Sequence, residues 1–120
     1  TEQFLAADKV IIANPLWNLS IPARLKNWID TINVGGKTFK YTENGPVGLA
    51  TGKKVLHIQS AGGDYQGQDS GSKFIKSVLN FVGVEDFTKI AVDALDQYPA
   101  QKEEMLASIL NDAAQLARTF

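Results

Sequence analysis

The sequence predicts an α/β domain built on a doubly wound parallel sheet. Short β-branched runs alternate with amphipathic stretches of helical spacing, in the order strand, helix, strand, helix, strand, helix. The first run lacks the polar alternation of a half-exposed strand, as expected of a strand covered on both faces. Two strands also run straight into loops rich in aromatic or glycine residues, where a short polar turn would serve as a connector.

The elements follow in order. Thr1 to Ala7 reads as the last turns of a helix, with Phe4 and Leu5 as apolar contacts, and Lys9 to Asn14 as a strand that stops at Pro15. Pro15–Leu19 is a loop. In the next helix Ile21, Leu25, Trp28, Ile29 and Ile32 form one apolar stripe. Ser20 is its expected N-cap, Pro22 is tolerated in the first turn, and Gly35-Gly36 stops it. Residues 37–52 carry Asn44-Gly45-Pro46 and further glycines, which predicts a long excursion that can include a short hairpin. Lys54–Gln59 is a second strand, followed by Ser60-Ala61-Gly62-Gly63 and a polar loop to Ser72. A helix with Phe74, Ile75, Val78, Leu79 and Val82 ends at Gly83, and a third strand spans Phe87–Val92. After Tyr98-Pro99, a final helix presents Met105, Leu106, Ile109, Leu110, Ala113 and Leu116 on one face.

Composition narrows the function. A chain of 120 residues supports one core, and a hydrophobic share of 44% with 21% charged residues is ordinary for a globular domain. A net charge of −1 with scattered lysines argues against a nucleic-acid partner, since few counterions could be released. The absence of cysteine excludes disulfides, thiolate nucleophiles and sulfur-ligated metals, and agrees with a reducing cytoplasm. No metal-ligand spacing appears, and one histidine cannot complete a serine–histidine–acid set. No apolar run approaches the ~20 residues of a membrane span.

Ligands of open α/β sheets bind beyond the carboxyl ends of the strands, which directs attention to Pro15–Ser20 and Ser60–Tyr65. Trp17 could face a planar ligand or cap the rim of the core. Gly62-Gly63 offers backbone N–H groups without side-chain obstruction, or is only a turn. His57, mid-strand among apolar neighbours, reads as a satisfied packing residue rather than a base. Asp93, Asp96, Glu103 and Glu104 read as solvated charges.

Three segments, PLWNLSIPARLKNWID, GKTFKYTENGPVGL and TGKKVLHIQSAGG, together resemble the bacterial FMN-dependent NADH-azoreductases and the related NAD(P)H:quinone reductases. The resemblance runs from about Asp8 to the C-terminus and implies a flavodoxin-like fold. By position, it implies that Leu16, Trp17, Asn18 and Leu19 hold the isoalloxazine ring and that Ser60, Ala61, Gly62 and Gly63 form a second flavin loop. Many members carry arginine where this chain has Ala61, so that side chain's contact is lost here. Tyr41 matches an aromatic of the substrate pocket, with Phe81 a further candidate near it. The implied enzyme takes electrons from NADH or NADPH and reduces azo compounds or quinones by ping-pong turnover, as a homodimer with the flavin at its interface. No catalytic side chain is required, because the flavin carries the chemistry.

A flavodoxin-like sheet has five strands in the order 2-1-3-4-5, and three are expected in this chain. The resemblance thus implies that the chain is the C-terminal part of one such domain, with roughly 60–80 residues and the phosphate-binding loop outside it. Two other readings stand beside the enzyme: an electron carrier without a substrate of its own, and a module inert without the missing part. Carriers of that kind are strongly acidic, unlike a chain of charge −1.

Overall fold

A computed structural model covers residues 1–120. It contains α1 (Glu2–Ala6), β1 (Lys9–Pro15), α2 (Ala23–Ile32), β2 (Phe39–Thr42), β3 (Gly45–Gly48), β4 (Lys54–Ser60), α3 (Ser70–Phe81), β5 (Asp86–Val92), a 3-10 turn (Pro99–Gln101) and α4 (Lys102–Ala117). The alternation read from the sequence is therefore present. The central sheet is parallel in the order β1-β4-β5, and the excursion holds a separate antiparallel hairpin, β2–β3.

Register sorts the side chains of the sheet into rows. Val10, Val55 and Phe87 lie side by side, then Ile12, His57 and Lys89, then Asn14, Gln59 and Ala91. This face turns from apolar to polar towards the carboxyl ends of the strands. Its apolar part packs under α2 and α3, where Phe4, Ile12, Ile29, Ile32, Val55, Ile75, Leu79, Val82 and Val84 are buried in one cluster. The opposite face is less covered than the sequence predicts for a doubly wound sheet. Ile11 is 60% exposed, Ala13 is exposed too, and α4 packs along β5 without burying any residue of its own. Met105, Leu106, Ile109, Ala113 and Leu116 are half-buried, whereas Leu110 is 69% exposed and does not belong to the packed face. The radius of gyration, 15.8 Å, exceeds the about 14 Å of a compact chain of this length, in keeping with a peripheral α4.

Two helix boundaries differ from expectation. Helix α2 starts after Pro22, whose φ of −60° suits a helix entry, and no side chain caps it; Ser20 is engaged in a turn with Trp17 instead. Helix α3 starts earlier than the polar loop suggested, because Asp69 serves as its N-cap and accepts from Ser72 N–H at 2.7 Å. Its end is as read: Gly83 takes φ +106°, Val84 N–H donates to Leu79 C=O and Gly83 N–H to Asn80 C=O, a Schellman closure.

The hairpin sits on this closure. Ala50 N–H donates to Val82 C=O at 2.8 Å, and a Cβ on Gly48 would fall 2.2 Å from Gly83 N and 2.4 Å from Val82 C. Both neighbours are backbone and cannot rotate away. Gly48→Ala is therefore expected to cost at least ~3 kcal/mol in urea unfolding. Gly52→Ala, with a positive φ but open space around it, should cost only about 1 kcal/mol.

Candidate functional site

Parallel pairing of β1 with β4 places the residues after each strand side by side. Pro15 pairs with Ser60, and Leu16 N–H donates to Ser60 C=O at 2.7 Å, which joins the two loops at their roots. Trp17 and Ser20 then exchange backbone hydrogen bonds of 2.8 and 2.9 Å around Asn18-Leu19, both at positive φ (51° and 66°). That is a tight turn of I′ type, and it leaves a leucine in a backbone region that costs about 1–2 kcal/mol. The turn holds Trp17 and Leu19 out, 61% and 65% exposed. Trp17 therefore does not cap the core.

The second loop is braced from β5. Ala61 N–H donates to Val92 C=O, and Ala94, Leu95 and Asp96 donate back to Gly63, Ala61 and Gly62. Pro15, Leu16, Trp17, Ser60, Ala61, Gly62, Leu95 and Asp96 line a cleft of about 240 Å³ between the loops. The backbone N–H groups of Asn18, Leu19, Gly62 and Gly63 donate to no protein acceptor. A Cβ on Gly62 would lie 2.4 Å from Asp96 Oδ2, so any other residue there would turn that exposed carboxylate aside. Of the residues nominated from the sequence after β1 and β4, Leu16, Trp17, Ser60, Ala61 and Gly62 line this cleft, whereas Asn18, Leu19 and Gly63 lie in the same loops outside its lining.

Tyr41 does not join them within the chain. It forms an aromatic cluster with Phe39 and Phe81, with ring centroids 5.6 and 4.8 Å from Phe39. Phe81 ends α3, roughly 16 Å along the helix from the Ser70 end beside the loops. Tyr41 is 77% exposed there.

A buried polar network under the loops escaped the sequence reading. His57 Nε2 lies 2.7 Å from Asn14 Oδ1, Asn14 Nδ2 donates to Gln59 Oε1 at 3.3 Å, and Gln59 Nε2 donates to Asp69 Oδ2 at 2.7 Å. Asp69 also accepts from Ser72 N–H, Ser72 Oγ and Lys89 Nζ. Burial alone would push the Asp69 carboxyl up, but the bonds from Gln59, Ser72 and Lys89 hold it well below the usual carboxylate range. The only sequence signal was a set of polar residues, Asn14, His57 and Gln59, on strands that otherwise read as apolar.

His57 is buried as expected but only half satisfied, since Nδ1 has no partner. Asp93 corrects the reading of solvated charges: Oδ1 is buried without a partner, and burial raises its carboxyl above the ordinary value. Asp96, Glu103 and Glu104 are exposed. No group of histidine, cysteine and acidic residues is arranged to hold a metal ion, and no helix is long and apolar enough to cross a membrane.

Comparison with known proteins agrees with this architecture. The model of a family described by its flavodoxin-like fold matches residues 1–117. The chain belongs to that family. Within it, the chain is 45% identical over its whole length to the FMN-dependent NADH:quinone oxidoreductase of Streptococcus suis, covering 59% of that protein. It is 44% identical over 99% of its length to the enzyme of the same description from Staphylococcus aureus, covering 60%. An azoreductase of Bacillus anthracis superposes with a TM-score of 0.94 at 40% identity, over 99% of this chain and 60% of that one. An FMN-dependent NADH-azoreductase of the same species, solved with FMN, gives 0.80 at 33% identity, over 97% and 59%. The chain thus spans about 60% of the length of the relatives it matches.

Burial, and secondly the charge of Lys89, lower the His57 pKa to about 4, so the imidazole is neutral in the fold. The unfolded chain binds the extra proton between pH 6.5 and about 4, so this contribution is whole above pH 6.5 and is lost as pH falls. Urea unfolding should show about 2 kcal/mol less stability from this group at pH 5 than at pH 7. The imidazole resonances in NMR should titrate near pH 4 rather than 6.5.

Proposed function

We propose that this chain is the C-terminal part of a single FMN-binding domain of an NAD(P)H oxidoreductase that reduces quinones or azo compounds. The carrying observation is the pair of joined loops whose Leu16, Trp17, Ser60, Ala61 and Gly62 line one cleft, with the N–H of Gly62 left unpaired in it and those of Asn18, Leu19 and Gly63 unpaired in the same two loops. The names of the relatives support the same reading. FMN, when bound, supplies the hydride chemistry, taking two electrons from NADH or NADPH and giving them to the acceptor.

The chain's own part is positional and electrostatic. Leu16, Trp17, Asn18 and Leu19 hold one side of the isoalloxazine, with the indole against the ring system. Ser60, Ala61, Gly62 and Gly63 would form the other contact, where the free backbone donors of Gly62 and Gly63 would favour negative charge on the reduced ring. Buried Asp69 is compensated by Lys89 and hydrogen bonds, so it contributes little opposing charge.

The enzyme works as a cytoplasmic homodimer in this proposal. Tyr41, Val47 and Phe81 leave apolar surface at the far end of α3 (77%, 43% and 38% exposed), which suits an interface. Tyr41 then lines the substrate pocket of the other subunit, since it cannot reach the loops of its own chain.

FMN fluorescence quenching should follow titration into the chain joined to the N-terminal portion of a relative, and NADH should bleach the bound flavin. Quenching without bleaching would return the electron carrier, and no quenching at all would sink the flavin assignment. In the joined protein, Gly63→Val should weaken FMN retention about tenfold, because its new side chain meets the Tyr65 ring from 3.3 Å, while His57→Gln leaves the loop intact.

A further inference from the structure

We propose that the first turn of α3, Asp69-Ser70-Gly71, is a clasp that sets the spacing of the two flavin loops, with Ser70 as a positioning residue. The inference rests on the flavin reading above. Three consecutive residues each touch a different part of the site. Asp69 accepts from Gln59, the residue that precedes the Ser60 loop. Ser70 Oγ donates to Leu19 C=O in the strained turn. Gly71 lies where a Cβ would stand 2.8 Å from Leu16 Cδ1 and 3.2 Å from Gln59 Oε1.

Helix capping accounts for only part of this. A cap needs Asp69 to accept from Ser72 N–H, and it does. It does not need Ser70 to reach across to another loop, nor a glycine in the helix's first turn, where alanine would be the better helix former. Leu19 C=O accepts no backbone N–H, so Ser70 is its partner in the fold. Beyond its own paired bonds between Trp17 and Ser20, the turn has this hydroxyl as its tether to the helix. The Asn18 and Leu19 donors sit within that turn, and their direction follows from it. Asn14 completes the linkage from below, donating both to Pro15 C=O at 2.9 Å and to Gln59. Ser70 is exposed, so its removal leaves no cavity in the core.

The test uses Ser70→Ala, Ser70→Thr and Gly71→Ala in the full protein. In Ser70→Ala without flavin, the ¹⁵N order parameters of Asn18 and Leu19 should fall from about 0.85 to below about 0.6, with the thermal midpoint unchanged. FMN affinity should drop five- to tenfold and the flavin midpoint potential should shift, with Ser70→Thr restoring all three. Gly71→Ala should weaken FMN binding by displacing Leu16. Unchanged order parameters in Ser70→Ala would overturn the clasp, as would a loosened turn with parental affinity and potential. A parent that binds no FMN, beside a Ser70→Ala turn that still loosens, would overturn the flavin reading and leave the clasp standing.

Discussion

The ionised carboxylate of Asp69 is the point on which the upper half of this domain converges. It accepts from Gln59 on the central strand, from the backbone and hydroxyl of Ser72, and from Lys89 on β5. A carboxylate so deeply buried is costly unless each lone pair has a donor, and here the donors come from a strand, a helix and the neighbouring strand. Removing Lys89 leaves that charge without its ion-pair partner. The same residue that begins α3 therefore also fixes how β4 and β5 present their carboxyl ends.

Below that level the fold is held by ordinary apolar packing. Ile12, Val55, Ile29, Ile32, Ile75 and Leu79 fill the space between sheet and helices, and the rows change from valine and isoleucine to histidine, asparagine and glutamine only near the loops. This division lets the lower rows provide stability by burial while the upper rows provide direction by hydrogen bonds. Neutral His57 stands at the boundary, bonded on one nitrogen and packed on the other.

The elements were legible in the sequence because their periods are clean. The stripe from Ile21 to Ile32, the run Lys9–Asn14 and the Gly83 stop each depend on neighbours in the chain. That the loops after β1 and β4 come together at one end of the sheet was legible from the order of strands and helices. Asn14, Gln59 and Asp69 were not, since their meeting depends on strand register and on the start of α3, both set by contacts distant in sequence. Ser20 was misread as a cap because a nearby turn captured its backbone first.

The peripheral seat of α4 reaches the site by a short route. Ala94, Leu95 and Asp96, which brace the glycine loop, connect onward through Tyr98 and Pro99 to a helix without a buried residue. Local opening starts where the fewest apolar contacts must be broken, so α4 should detach long before the sheet does. The brace would then keep its bonds to the loop but lose its far anchor. Of the two walls of the cleft, the glycine wall is bonded to this segment and the one carrying Trp17 is not. Sub-global fluctuations of the peripheral helix would thus widen and narrow the cleft from one side only.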